Sequence, residues 1–167
     1  MKSKLTNHIG YSGELSVKLK SGDNVMLYTM KNAGHKALWD AAAKAFAGYD
    51  VTEDIPRYID VVMSNASQSN LMVAPVPFTG VVYGEVVDTS ETSTSVLYTA
   101  TVTAASKLRD TLGQDCKLLM LNSHGQTMAV IEHDSLKDVW SSLSPGIDII
   151  FEWKLTFSNN KGESNNV

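Results

Sequence analysis

Four histidines, one cysteine and a short acidic loop are the parts of this chain with chemistry to offer. His8, His35, His124 and His133 never stand four apart, the helical spacing that lets two imidazoles share a zinc ion. The sequence puts His124 in a turn and His133 at the far end of the strand that follows it. Asp50, Glu53 and Asp54 offer the clustered carboxylate oxygens that calcium takes, without the alternating ligands and closing glutamate of an EF-hand loop. Ser123 and Cys116 could act as nucleophiles with His124 as base. No Gly-x-Ser-x-Gly elbow presents either of them, and neighbouring side chains on a turn diverge. Asp148 and Glu152 fall on one face of a strand with Cα atoms about 13 Å apart, outside the ~5 to 10 Å of glycosidase carboxylate pairs. The glycines at 80, 84 and 113 fit no phosphate-binding fingerprint. This reading assigns no catalytic, cofactor-binding or metal-binding residue and expects a protein that is not an enzyme.

The elements that would position these residues are mostly strands. From Gly146 to Asn159, Ile147, Ile149, Phe151, Trp153, Leu155 and Phe157 alternate with Asp148, Ile150, Glu152, Lys154, Thr156 and Ser158. Side chains on a strand point alternately to its two faces, so one side of about 35 to 40 Å of extended chain is apolar. That length suits the spine of a β-sandwich. Asp148 and Glu152 then face solvent and pair with neighbours such as Lys154.

Upstream, Leu15, Val17 and Leu19 alternate with polar residues, and Ser21-Gly22-Asp23-Asn24 turns the chain into Val25–Met30, a hairpin in which Met26, Tyr28 and Met30 form one strand face. Between residues 33 and 47 the period becomes helical: Leu38, Ala41, Ala42, Ala45 and Phe46 mark a core face, with Trp39 and Phe46 supplying its bulk. Asn32 is available to cap this helix and Gly48 to end it in a left-handed conformation. A short strand is expected at Pro56–Met63, then an aperiodic loop from Ser64 to Asn70. Strands at Phe78–Val87 and Ser95–Thr103 form a second hairpin across Asp88–Thr94. A third joins Lys117–Leu121 to Thr127–Glu132, and a short helix covers residues 135–143 before the break at Ser144-Pro145-Gly146. The expected fold is a mainly β, antiparallel sandwich spanning residues 1–158 as one domain, with one inserted amphipathic helix and a polar C-terminal tail at 159–167.

Composition narrows the partners. The chain has 167 residues, enough for one core to be stable without a metal or disulfide, and its single cysteine, Cys116, excludes an internal disulfide. Fourteen basic residues against 18 acidic ones give a net charge of −4 with no basic run, so specific nucleic-acid recognition is not expected. No window approaches the ~18 apolar residues of a membrane span, and the first residues carry no apolar signal segment. Membrane partners are therefore not expected and the chain reads as soluble and non-secreted. Asn65-Ala66-Ser67 is then a chance glycosylation triplet.

Two segments carry a family resemblance. Tyr28-Thr29-Met30-Lys31-Asn32-Ala33-Gly34-His35-Lys36-Ala37-Leu38-Trp39 leads to Ala45-Phe46-Ala47-Gly48-Tyr49, and the chain ends its strand pattern in Ile150-Phe151-Glu152-Trp153-Lys154-Leu155-Thr156-Phe157-Ser158-Asn159. Together these resemble small structural proteins of crAss-like tailed bacteriophages, over about a third of the chain. The resemblance implies a virion protein made in the bacterial host cytoplasm, a ring or collar component of the head-to-tail region. It also implies a homo-oligomeric cyclic ring in contact with portal, neighbouring ring or tail proteins. A place in the tail or on the capsid fits the same motifs. The competing reading is a carbohydrate-binding, lectin-like sandwich or capsid-decorating module, in which exposed Trp39, Tyr49, Tyr58 or Tyr83 would stack on sugars.

Overall fold

The turn at Gly22 and Asp23 sets the first ladder. A computed structural model describes residues 9–63, 75–79, 84–103 and 116–159. Gly22 has φ +59° and Asp23 a negative φ, the pattern of a two-residue type II′ turn, which demands glycine at its first central position. It pins Ser21 opposite Asn24 and so fixes the register of β1 (Ile9–Ser21) and β2 (Asn24–Gly34) from Gly13↔Asn32 to the tip. On the other side of β1 lies β9 (Asp148–Asn159), antiparallel from Ile9↔Asn159 to Lys20↔Asp148. The long C-terminal strand also pairs with β6 (Ser93–Val102), which carries β5 (Gly84–Val87) at its far edge. The spine expected from the alternating pattern is thus the middle strand of a five-stranded sheet.

A second sheet holds β4 (Val76–Pro77), β3 (Tyr58–Met63), β7 (Cys116–Leu121) and β8 (Thr127–Ile131), and among the described residues every pairing is antiparallel. Both corners of the sandwich are joined. At one, the end of β2 leaves β1 and pairs with β8 through Ala33↔Val130 and Gly34↔Ala129. At the other, Phe78 N–H donates to Arg57 O and the next residue, Thr79, donates to Thr99 O of β6, each at 2.8 Å. Strands that change sheet in this way close a sandwich without a long exposed corner. A register shift between Met120 and Leu121 leaves Met128 and Ala129 both buried in β8, one extra residue that bends the strand toward the corner.

The core lies between the sheets. Leu15, Val17 and Leu19 of β1 meet Ile149, Phe151, Trp153 and Leu155 of β9, and across the gap stand Ile59, Val61, Leu118, Met120 and Ile131. Each such fully buried side chain contributes about 1.5–3 kcal/mol of transfer free energy. Helix α2 (Ser135–Ser141), two residues shorter than residues 135–143, inserts Leu136, Val139 and Trp140 into this core, and Trp140 donates its indole N–H to buried Cys116 Sγ at 3.2 Å.

Helix α1 (Lys36–Phe46) departs from expectation in which side it buries. It starts three residues later than residue 33, because Ala33 and Gly34 still belong to β2, and its N-cap is His35 rather than Asn32. Only Leu38 and Ala41 are buried, whereas Trp39 is exposed and Phe46 is 89% exposed. The sequence holds two apolar stripes one residue apart, 38/41/42/45 and 39/42/43/46, and the sheet accepts the one led by Leu38. Gly48 does end the helix at φ +87°. The Ser64–Asn70 loop and the tail beyond Asn159 lie outside the described residues.

Candidate functional site

Three places were candidates for chemistry, and packing decides each. The first is the acidic loop after α1. Asp50 Oδ1 accepts from the Thr52 backbone N–H at 3.0 Å and from its hydroxyl at 2.6 Å, so these bonds hold the Asp50 carboxyl below its usual range. Asp54 and Ile55 N–H both return to Val51 O, which tightens the loop into a single turn. Facing it is the β7–β8 turn, organised by fully buried Asn122: its Oδ1 accepts from His124 and Gln126 N–H at 3.0 Å, and its amide donates to Gln126 Oε1. A bond from Ser123 N–H to Glu53 O joins loop and turn.

The result is a cleft of about 360 Å³ lined by Asp50, Thr52, Glu53, Asp54 and His124. His124 Nε2 stands 3.7 Å from Glu53 and 3.9 Å from Asp54, and Lys44 of α1 stands 3.6 Å from Asp54. This juxtaposition, across some seventy residues of sequence, was not readable from spacing. Its chemistry is that of a brace: exposed pairs of this kind contribute about 0–1 kcal/mol each. Among the described residues, no three His, Cys, Asp or Glu side chains come together as metal ligands.

The nucleophile readings come apart in space. Ser123 Oγ accepts from the Arg57 guanidinium at 3.0 Å instead of facing His124. Cys116 lies at the start of β7 and His124 beyond its end, roughly 17 Å of strand apart, with the thiol in the core. His133 is occupied in accepting from Ser135 N–H through Nδ1, and His35 opens α1; His8 lies outside the described residues. Glu152 ion-pairs with Lys18 across the β1–β9 ladder, while Lys154 reaches Asp88, just past the end of β5, at 3.0 Å, so the expected Glu152–Lys154 pairing gives way to partners on other segments. Residues on one strand face two apart lie about 7 Å from each other, whereas cross-strand neighbours lie at 5 Å. A second shallow cleft, of about 280 Å³, lies between the β5–β6 turn and the end of β9, where the Ser90 hydroxyl bonds within its own turn.

Several large apolar side chains are exposed. Val25, Met26 and Leu27, consecutive on β2, are each more than half exposed, and Phe46 and Tyr49 are bare at the end of α1. Trp39 sits half out of the surface with its ring edge-on to Tyr11, centroids 5.1 Å apart. Trp39 and Tyr49 thus meet the exposure that sugar stacking requires, but neither lines either cleft; Tyr58 is half-buried, and Tyr83 lies outside the described residues. The Val25–Leu27 surface had a sequence signal that pattern reading passed over: a half-buried strand should alternate, and Val-Met-Leu-Tyr does not. No protein-family model, curated protein or solved structure matches the chain.

Proposed function

We propose that this chain is a non-enzymatic structural protein of a tailed-phage virion, a ring or collar component of the portal-proximal region that assembles through lateral subunit contacts. The observation that carries the assembly part is the outer stripe of α1, Trp39, Ala43 and Phe46, continued by Tyr49: an apolar face on the outside of a sandwich whose core is already filled. Large exposed apolar groups on one rigid face are characteristic of protein–protein contacts. The virion part rests on the resemblance of residues 28–49 and 150–159 to crAss-like phage structural proteins. In a cyclic ring each copy offers this face to a different surface of its neighbour, so the contact is head-to-tail and closes by rotation.

Peptide mass spectrometry on nuclease-treated, gradient-purified particles tests the assignment. A fixed ratio to the major capsid protein of a few per cent supports a low-copy connector. Absence from particles overturns it and favours the lectin-like reading, for which the exposure of Trp39 and Tyr49 gives a starting point on a glycan array.

A further inference from the structure

We infer that the outer edge of β2 is a self-complementary interaction surface, on which a second copy of this chain adds its own β2 in antiparallel register about a two-fold axis through Leu27. The inference goes beyond the virion reading and does not depend on it.

Backbone geometry fixes the register. In a two-residue hairpin the flanking pair, here Ser21 and Asn24, is hydrogen-bonded, and bonded and non-bonded pairs then alternate along the ladder. Val25, Leu27, Thr29 and Lys31 therefore aim their N–H and C=O groups away from β1, toward an edge on which β8 reaches only Ala33 and Gly34. Among the described residues no strand pairs with that edge from Asn24 to Asn32. Such an edge calls for another strand, with the two-fold passing either through a residue whose groups point outward or through one that lies between two such residues.

Side chains choose among those residues. Centred on Thr29, the pairing would need Ala33, already bonded to Val130. Centred on Val25 or Met26, it leaves Lys31 beyond the partner's hairpin turn, and centred on Tyr28 it sets Val25 against Lys31 and forms no opposite-charge pair. Centred on Leu27, it uses the whole free edge: Leu27 meets Leu27 of the second copy, Val25 meets Thr29, Met26 meets Tyr28, and Asp23 meets Lys31. Asp23 and Lys31 are both exposed and take part in no salt bridge among the described residues, so the two-fold creates two opposite-charge pairs. It also covers the three consecutive exposed apolar residues Val25, Met26 and Leu27. An isologous pair of this kind closes at two copies and leaves the α1 face free.

Sedimentation velocity on the full chain over a concentration series is the test, with thermal melts of each variant as the folding check. The parent chain dimerises. Leu27→Lys, at a residue 60% exposed, still melts cooperatively and weakens dimerisation by at least about tenfold. Asp23→Lys and Lys31→Asp each weaken it, and the double variant restores it. Leu27→Cys gives a disulfide-linked dimer on mild oxidation, whereas Ser16→Cys, one strand further in, does not. A parent that stays monomeric throughout, a dimer indifferent to Leu27→Lys, or a double reversal that fails to restore association each overturns the inference.

Discussion

Trp153 of the central strand donates its indole N–H to Asn32 Oδ1 at 2.9 Å, reaching across β1 to the point where β2 changes sheet. Asn32 in turn donates from its amide to Tyr11 Oη at 2.9 Å. The bridge exists because Gly13 of β1, opposite Asn32 in the ladder, has no side chain: a Cβ there would lie 1.7 Å from Asn32 Oδ1. Three residue types are thus matched to one polar contact inside an apolar sheet face.

Removing that match is costly in two ways. Asn32→Ala leaves a buried indole N–H without an acceptor and lowers stability by about 1–3 kcal/mol. Gly13→Ala forces Asn32 aside and costs about 3 kcal/mol or more, from overpacking plus the lost bonds. In the double variant the new methyl enters vacated space, so the combined cost falls short of the sum. Urea denaturation of the two single variants and the double variant measures the coupling; strict additivity would refute it.

The two stripes of α1 should respond oppositely to truncation. Leu38→Ala empties buried volume and destabilises by about 2–5 kcal/mol. Phe46→Ser removes a larger side chain but changes stability by no more than about 0.5 kcal/mol, because Phe46 is solvated. Thermal unfolding of the two variants decides the order.

Asp60 of β3 is 3% exposed, and its carboxylate accepts the Val61 backbone N–H at 2.9 Å. Burial raises its pKa above the ordinary 3.8, outweighing that hydrogen bond. The sign follows from linkage: folding is unopposed below 3.8, where both states are protonated, and loses stability as pH rises through the higher folded value. Asp60→Asn should therefore stabilise the protein at pH 7 and make no difference near pH 3. Denaturation midpoints at the two pH values test this, and a variant less stable at pH 7 would sink it.

At the alkaline end two tyrosines act. Burial raises the pKa of Tyr98 far above 10.0, with Tyr11 adding to the rise, and burial raises Tyr11 itself against the lowering effect of Asn32. Their contribution to stability is complete below pH 10 and is lost above it, as the unfolded chain ionises first, by up to about 1.4 kcal/mol per pH unit for each group. Tyr98→Phe should flatten that alkaline loss. Phenolate absorbance followed against pH shows whether Tyr98 ionises only on unfolding.

Strand positions and hairpin turns were legible because their causes are local. Alternation in Ile147–Phe157 and the glycine at Gly22 dictate conformation within a few residues. The choice between stripes of α1 was not, because 38/41/42/45 and 39/42/43/46 are equally helical and only the sheet beneath discriminates. Asn32 read as a cap for the same reason: nothing near it in sequence announces Trp153. The brace of Glu53, Asp54 and His124 depends on two turns that meet only after the second sheet forms.

The position of β9 has a consequence for how the chain is made. Its partners β1 and β6 are synthesised long before it, and β1 must wait for well over a hundred residues, on the order of ten seconds at ribosomal speeds. Until then the inward rows of β1 and β6 have no neighbour between them, and the nascent sheet has a gap at its centre rather than an unfinished rim. The decisive step in folding this half is thus sequence-distant pairing, and it is correspondingly slow. A ribosome stalled before Asp148 would hold a chain with its β1–β2 hairpin formed and its core still open.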